Sequence, residues 1–140
     1  MGLVPIDGSI EVLGGAYAVL VAALVGSFIN LVADRVPRGE SVVRPRSHCR
    51  ACGRVLNLVD LIPVAGYLIR GGRCATCGVQ IGVSSPLIEG LCALSLLMAI
   101  SLLGLARGAA AGFGAVALIG FVWVGTSVAR SPIRRGSRSG

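Results

Sequence analysis

Charged residues are nearly absent from three long stretches of the sequence. These stretches cover residues 12–34, 86–106 and 108–129, and each contains at most one acidic side chain and no arginine. A transmembrane helix needs about 20 consecutive, mainly apolar residues to cross the hydrocarbon core of a bilayer. The pattern therefore predicts an all-α integral membrane protein with three transmembrane helices.

The first apolar stretch has a rival interpretation as a cleaved signal peptide. Residues 1–11, which precede it, contain Asp7 and Glu11 but no basic side chain. A signal peptide would have a basic start and a shorter apolar core. We therefore interpret residues 12–34 as a retained transmembrane helix and residues 1–11 as a short segment outside the membrane.

Local signals mark the ends of the second and third spans. Ser85 can cap the second span, Pro86 fits its first turn, and Glu89 lies near the positive end of the helix dipole. Arg107-Gly108 is a minimal turn between the two spans. The third span is therefore expected to return antiparallel to the second.

Composition agrees with a membrane protein and indicates its orientation. Hydrophobic residues make up 54% of the chain and the mean hydropathy is +0.85, too apolar for an ordinary soluble domain. The 13 basic residues are all arginines, and against 6 acids they give a formal charge of +7. Eight lie in residues 35–85, four in residues 130–140, and Arg107 lies between the last two spans.

The positive-inside rule places the arginine-rich segments in the cytoplasm and the N-terminus outside. Residues 35–85, called the cysteine loop below, would then be cytoplasmic. Residues 130–140 are basic and rich in Ser and Gly, which is typical of a disordered tail. Anionic lipid headgroups are a sufficient partner for this tail, so we expect no nucleic-acid binding.

Two matching motifs give the cysteine loop its candidate chemistry. Cys49 and Cys52 form a C-x-x-C motif followed by Gly53, and Cys74 and Cys77 form a second one followed by Gly78, with 21 residues between the two motifs. Four thiolates at this spacing form a closed tetrahedral site for structural zinc, with no open position for catalysis. Two disulfides or unpaired thiols are the alternatives, and a reducing cytoplasm favours the metal.

Small residues recur every four positions along the first span. They make a groove where another helix of a partner membrane protein could approach closely. An Ala- and Gly-rich helix can also show this pattern by chance. The residues are Gly14, Ala18, Ala22 and Gly26.

Residues 60–70 resemble a short helix, which Asp60 would cap and Gly71-Gly72 would end. The helix is apolar nearly all round, so we expect it in the membrane interface or under the cysteine motifs. Capping is the ordinary explanation of Asp60, and we assign it no catalytic role. We predict no catalytic residue and no organic cofactor site in the chain.

The remaining polar and reactive side chains have structural interpretations. We expect Asp34 and Arg35 to form a solvated pair at the membrane interface. His48 could replace a thiolate at the metal, but four cysteines complete the tetrahedron, so we expect it to lie outside the ligand set. Cys92 lies alone within the second span and is interpreted as a packing residue.

These pieces together resemble the amino-terminal module of the prepilin peptidases. Members of that family are bacterial membrane enzymes that cleave, and often N-methylate, type IV pilin and pseudopilin precursors. The resemblance implies zinc ligands at the four cysteines, a location in the bacterial cytoplasmic membrane and no catalytic role for Asp34 or Asp60. It rests on residues 26–37 (GSFINLVADRVP), 38–53 (RGESVVRPRSHCRACG), 60–77 (DLIPVAGYLIRGGRCATC) and 86–90 (PLIEG).

The sequence also departs from the family pattern. Family proteolysis uses two membrane aspartates, one of them in a G-x-G-D motif, and this sequence contains no such motif. We therefore expect the stand-alone chain to be an accessory, partner-binding subunit of a larger membrane complex. The alternative is the zinc half of a split or degenerate prepilin peptidase or N-methyltransferase acting on pilin-like precursors. Methylation ranks last, since no Gly-rich nucleotide loop is visible.

Overall fold

The computed structural model describes residues 6–131, and the described part is all-helical. The predicted tail, residues 130–140, lies almost wholly outside this range, as do the first residues of segment 1–11. Four α-helices follow in chain order: α1 (Ile6–Arg35), α2 (Ala65–Ile69), α3 (Ser84–Leu103) and α4 (Leu105–Arg130). Two short 3-10 turns cover Val36–Arg38 and Val59–Leu61.

Three of these helices are long and apolar enough to cross a membrane. They are α1 with the turn that follows it, α3 and α4. The cysteine loop lies between the first and the second of them. The predicted fold class is therefore confirmed.

The three long helices pack against one another around a small core. Cys92 and Leu96 of α3 are its largest fully buried side chains, so Cys92 packs in the interior as expected. Ala22 of α1 and Val116 of α4 complete the contact from the other two helices. Gly26 of α1 lies near Glu89 of α3, whereas Gly14 lies near Leu105 at the start of α4, so α1 and α3 are antiparallel.

The small-residue groove on α1 is occupied by helices of the same chain. Ala22 is completely buried, and a Cβ on Gly26 would lie 3.0 Å from the Cα of Glu89 in α3. A Cβ on Gly14 would lie 3.2 Å from the Leu105 side chain. The expectation that this groove receives a partner protein is therefore corrected, because α3 and α4 already fill it.

Helix α4 buries a stripe of three glycines, Gly108, Gly112 and Gly120, with Val116 between the last two. A Cβ on Gly108 would overlap the backbone of Ile100 in α3. A Cβ on Gly120 would lie 2.8 Å from the Cδ1 atom of Ile29 in α1. Close contact of α4 with both neighbours thus depends on glycine.

The turn between α3 and α4 lies at Gly104, not at Arg107-Gly108. Gly104 has a φ of 77°, which glycine adopts without steric cost. Helix α4 begins at the next residue, so Arg107 lies in its first turn. The hydrophobic pattern continues unbroken through Gly104, and for that reason it predicts a later boundary.

The helix expected over residues 60–70 is also shorter than predicted. Ile62 is extended, with a φ of −66° and a ψ of 121°, because the proline that follows it disfavours a helical residue there. Helix α2 therefore covers only Ala65–Ile69. Gly71 and Gly72 have positive φ values and end it, as the sequence suggests.

Candidate metal centre

The first cysteine motif folds into a tight knuckle between Ser47 and Leu56. The Gly53 N–H donates to the Cys49 carbonyl at 2.8 Å, and the Cys49 N–H donates to the Arg54 carbonyl at 2.8 Å. The Leu56 N–H donates to the Ser47 carbonyl at 2.9 Å and closes the hairpin. Gly53 has a φ of 73°, so glycine is the residue suited to this turn.

The second motif repeats this bonding pattern at the same relative positions. The Gly78 N–H donates to the Cys74 carbonyl at 3.0 Å, and the Cys74 N–H donates to the Val79 carbonyl at 2.9 Å. The Ile81 N–H donates to the Gly72 carbonyl at 2.8 Å. Gly78 has a φ of 68°, which matches the role of glycine in the first knuckle.

The two knuckles bring four sulfur atoms together. All four lie within 4.8 Å of one another and could hold a metal ion. The Sγ atoms of Cys49 and Cys77 are 3.8 Å apart, and those of Cys52 and Cys74 are 3.9 Å apart. Zinc–sulfur bonds of about 2.3 Å in a tetrahedron place neighbouring sulfurs roughly 3.8 Å apart. The cysteines are free thiols, and their spacing fits this geometry.

Backbone N–H groups favour the thiolate at the first cysteine of each knuckle. Those of Cys77 and Thr76 lower the pKa of Cys74 to about 6. Those of Cys52 and Ala51 lower the pKa of Cys49. Metal binding requires thiolates, so the fold prepares one ligand of each pair for a cation.

The pKa of the last cysteine shifts in the opposite direction to the pKa of the first cysteine in each pair. The Val79 N–H lowers the pKa of Cys77, but burial and the neighbouring thiols outweigh it and raise this pKa to about 11. Four thiolates without a cation would repel one another. Full ionisation of the cluster would therefore require a cation in place of the protons.

His48 lies beside this cluster without belonging to it. Its side chain is exposed, and its Nδ1 atom lies 3.0 Å from the Arg46 carbonyl oxygen. Its backbone pairs with Val55 across the first knuckle. The group of four possible metal ligands contains the cysteines and not this histidine.

Asp60 joins separate parts of the cysteine loop. It accepts hydrogen bonds from Arg54 Nη2 at 2.6 Å and Arg70 Nε at 2.7 Å. It also accepts one from the Asn57 N–H at 3.0 Å. Although burial opposes them, these donors hold the pKa of Asp60 below its ordinary value. Asp60 thus ties the first knuckle to the end of α2 and does not cap a helix over 60–70.

Asp34 and Arg35 do not pair with each other. The Asp34 carboxylate pairs with Arg38 and with Arg50, each at 2.6 Å, and these side chains are about half exposed. Arg35 is buried and donates to the carbonyls of Ser41 at 2.7 Å and Pro45 at 2.9 Å. The expected solvated pair is therefore wrong, because each side chain has a different partner in the loop.

Glu89 connects the cysteine loop to α3. It is buried, and its Oε2 atom accepts a hydrogen bond from the Val64 N–H at 2.6 Å. Its Oε1 atom accepts one from the Ser85 hydroxyl at 2.8 Å. Sequence reasoning missed this connection, although the single acid within the second span was a signal that it needed a partner.

A cleft of about 750 Å³ separates the cysteine loop from the ends of α1 and α3. Phe28 and Asp34 line it from α1, Arg50 and Tyr67 from the loop, and Glu89 from α3. The cleft therefore combines an apolar wall with charged groups of both signs, beside the knuckles.

Comparison with known proteins gives matches to one kind of protein. Residues 20–103, which include α3 and all four loop cysteines, match the family model described as the bacterial peptidase A24 N-terminal domain. A prepilin leader peptidase/N-methyltransferase of Myxococcus xanthus is 47% identical over 79 residues, covering 54% of this chain and 24% of the relative. One of Burkholderia pseudomallei is 30% identical over 129 residues, covering 74% and 42%.

A Bacillus subtilis protein of the same description is 36% identical over 66 residues, covering 47% of this chain and 27% of the relative. The chain thus spans less than half the length of these curated relatives. No solved structure matches the chain significantly.

Proposed function

This chain belongs to the family of bacterial peptidase A24 N-terminal domains, and from that membership we propose that it is a zinc-binding accessory module of a larger membrane complex. Its role is to bind a partner and not to cleave peptide bonds with its own residues. The observation that carries this proposal is the arrangement of the four sulfurs, which leaves no open position on a tetrahedral ion.

Zinc is the metal that suits the donor set best. Four thiolates at tetrahedral spacing match structural zinc sites, and the oxygen-rich sites typical of magnesium or calcium have a different chemistry. Cys49, Cys52, Cys74 and Cys77 would hold the ion. When bound, the ion would fix the two knuckles to each other.

The environments of the acidic residues support a role other than proteolysis. Aspartic peptidases need two carboxylates that share a proton. Asp34 and Asp60 are each paired with two arginines, which favours the charged form of both. Glu89 is engaged by the Val64 N–H and the Ser85 hydroxyl.

The proposed location is the bacterial cytoplasmic membrane, with the N-terminus outside and the cysteine loop in the cytoplasm. The distribution of arginines supports this orientation. The curated relatives are named for action on prepilin leaders. Pilin-like precursors are therefore candidate partners, and the cleft beside the knuckles would receive them.

Purified, zinc-loaded chain mixed with a prepilin leader peptide tests the proposal. We expect no cleavage by mass spectrometry, while a prepilin peptidase with both aspartates cleaves the same peptide. Cleavage by this chain alone, lost on Asp34→Asn or Asp60→Asn substitution, would overturn the proposal.

The second candidate is the zinc part of a split prepilin peptidase, favoured by the 47% identity to the Myxococcus prepilin leader peptidase/N-methyltransferase. Affinity purification of the tagged chain from gently solubilised native membranes distinguishes the two candidate functions. Recovery of a multi-span protein with a G-x-G-D motif, and cleavage by the recovered pair, would favour the split enzyme. Recovery of another membrane complex in fixed stoichiometry would favour the accessory subunit.

A further inference from the structure

The segment from Leu58 to Ile69 presents large apolar side chains outward. Leu58 is 83% exposed, Leu68 69% and Ile69 62%. We propose that this segment, called the apolar shelf, lies in the headgroup region of the bilayer and that these three side chains contact lipid. The shelf would thus be an interfacial membrane anchor within the cysteine loop.

Contacts with the transmembrane helices define the height of the shelf along the helix axes. The Val64 N–H in its centre binds Glu89, whose carboxylate also binds Ser85 in the first turn of α3. The shelf therefore lies beside the first turn of α3. Leu61 of the shelf and Leu31 of α1 line one small cavity, which places the shelf beside the end of α1 as well.

Both spans change from apolar to polar at this level. Gly26 of α1 lies against Glu89 of the antiparallel α3. Leu31 follows Gly26 by five residues in α1, and Ser84 precedes Glu89 by five residues in α3, which is about 7.5 Å along each helix. Because the two helices are antiparallel, Leu31 and Ser84 lie at the same height. Asp34 follows Leu31 by less than one turn. The shelf consequently lies at the height where hydrocarbon gives way to headgroups, the depth that interfacial helices occupy.

Several polar groups of the shelf are paired within the protein. Asp60 binds Arg54 and Arg70, and only 7% of its side chain is exposed. The Gly66 N–H donates to the Ile62 carbonyl at 2.8 Å. Such pairing is what non-helical backbone needs at the edge of a bilayer, where water is scarce. What remains exposed on the shelf is mainly apolar.

Lipid suits this surface better than a protein partner does. The shelf lies beside the first turn of α3, where Leu87 is 64% exposed, so it adjoins apolar surface that the spans present to lipid. Arg44, Arg46 and Arg73 of the loop are exposed and form no ion pair within residues 8–131, so they can meet anionic headgroups.

Tryptophan fluorescence in reconstituted vesicles tests the proposal. Trp123 is the only tryptophan, so Trp123→Phe removes the intrinsic tryptophan fluorescence. A single tryptophan introduced into this variant can then be observed alone. Leu68→Trp places a reporter on the shelf, and Thr76→Trp places one on the second knuckle as a matched control. The full chain is reconstituted with anionic phospholipids that carry bromine near the headgroup end of the acyl chain. Zinc content equal to that of the background verifies each fold.

We expect bromolipid to reduce the fluorescence of the Leu68→Trp reporter and aqueous acrylamide to leave it largely unchanged. The Thr76→Trp reporter should behave in the opposite way. Acrylamide quenching of both reporters would overturn the proposal, and so would shielding of the shelf reporter from both quenchers, which would indicate a protein cover. If Leu68→Trp loses zinc, Leu58→Trp takes its place with the same expected result.

Discussion

Single residues decide how the cysteine loop is held together. The backbone around each C-x-x-C motif is fixed by three hydrogen bonds that use no side chain. The sulfurs therefore point to one place because of local chain geometry. Arg35, Asp60 and Glu89 then attach the cysteine loop to α1, α2 and α3 through contacts with residues 6 to 25 positions away.

Replacement of a loop cysteine by serine should remove the metal. Cys52→Ser or Cys74→Ser leaves three thiolates, and the binding energy of such a site, about 10–16 kcal/mol in small zinc domains, is also folding energy of the loop. We expect metal content measured by inductively coupled plasma mass spectrometry to fall close to zero while the spans stay inserted.

Cys92→Ser is the matched control, because that thiol is buried in α3 and lies outside the cluster. Its metal content should equal that of the unmodified chain. Unchanged metal in the Cys52 or Cys74 variants would refute the four-thiolate site.

Asp60→Asn should loosen the loop more than Asp34→Asn does. Asp60 is largely buried between two arginines, whereas the exposed pairs of Asp34 are worth about 0–1 kcal/mol. Hydrogen-exchange mass spectrometry should show faster exchange over residues 54–70 in Asp60→Asn alone. Equal exchange in the two variants would show that the Asp60 network does not hold the loop.

The lowered pKa of Asp60 also makes the loop sensitive to acid. Because the folded-state pKa lies below the ordinary value of 3.8, Asp60 stabilises the fold above that value and ceases to do so as the pH falls below it. Exchange over residues 54–70, expressed relative to the intrinsic exchange rate of each amide at that pH, should therefore rise as the pH falls from about 4 through the folded-state pKa. In Asp60→Asn this contribution to the rise is missing, so an identical pH dependence in both proteins would contradict the assignment.

At the scale of secondary structure, the sequence predicts the long helices well and their connections poorly. Apolar runs identify α1, α3 and α4 because the bilayer imposes both length and composition. The apolar run continues through Gly104 without a change in composition, so it does not reveal the turn at that residue. Proline, in contrast, shortens α2 by a local rule that could have been applied to Ile62-Pro63.

Gly108→Ala should separate α3 from α4. A Cβ there overlaps the Ile100 backbone, which cannot rotate away as a side chain can. Overpacking of this kind costs about 1–3 kcal/mol. We expect a lower midpoint of thermal unfolding in detergent.

Gly114→Ala is the control for this substitution, because nothing lies within 4 Å of its Cβ position in the same helix. Its unfolding temperature should be unchanged or slightly higher, since alanine favours helix. Equal destabilisation by both substitutions would mean that helix contact is not the cause.

At the scale of the whole molecule, the charges of the connecting segments predict the orientation. In a Cys92→Ala background, Arg107→Cys tests the turn between α3 and α4, and Arg46→Cys tests the cysteine loop. A membrane-impermeant maleimide added to intact spheroplasts should label only the cysteine at position 107. Labelling of position 46 before lysis, with position 107 protected, would reverse the proposed topology.

The sequence predicted the candidate metal site because its ligands come from two short motifs with fixed local geometry. It could not predict the environment of that site. Arg35, Asp60 and Glu89 meet partners 6 to 25 residues away in sequence, and such pairings depend on how the spans pack. The groove on α1 was assigned to another protein for the same reason, since sequence alone does not show which helix fills it.

The single-residue connection at Gly104 has a consequence for how the protein is made. Helices α3 and α4 are joined by one residue, so we expect the two to enter the bilayer together as one hairpin, with Arg107 near its tip. On this expectation, biogenesis of the described chain has two events, the insertion of α1 and the insertion of this hairpin, and the contact between the cysteine loop and Glu89 of α3 forms only after the second.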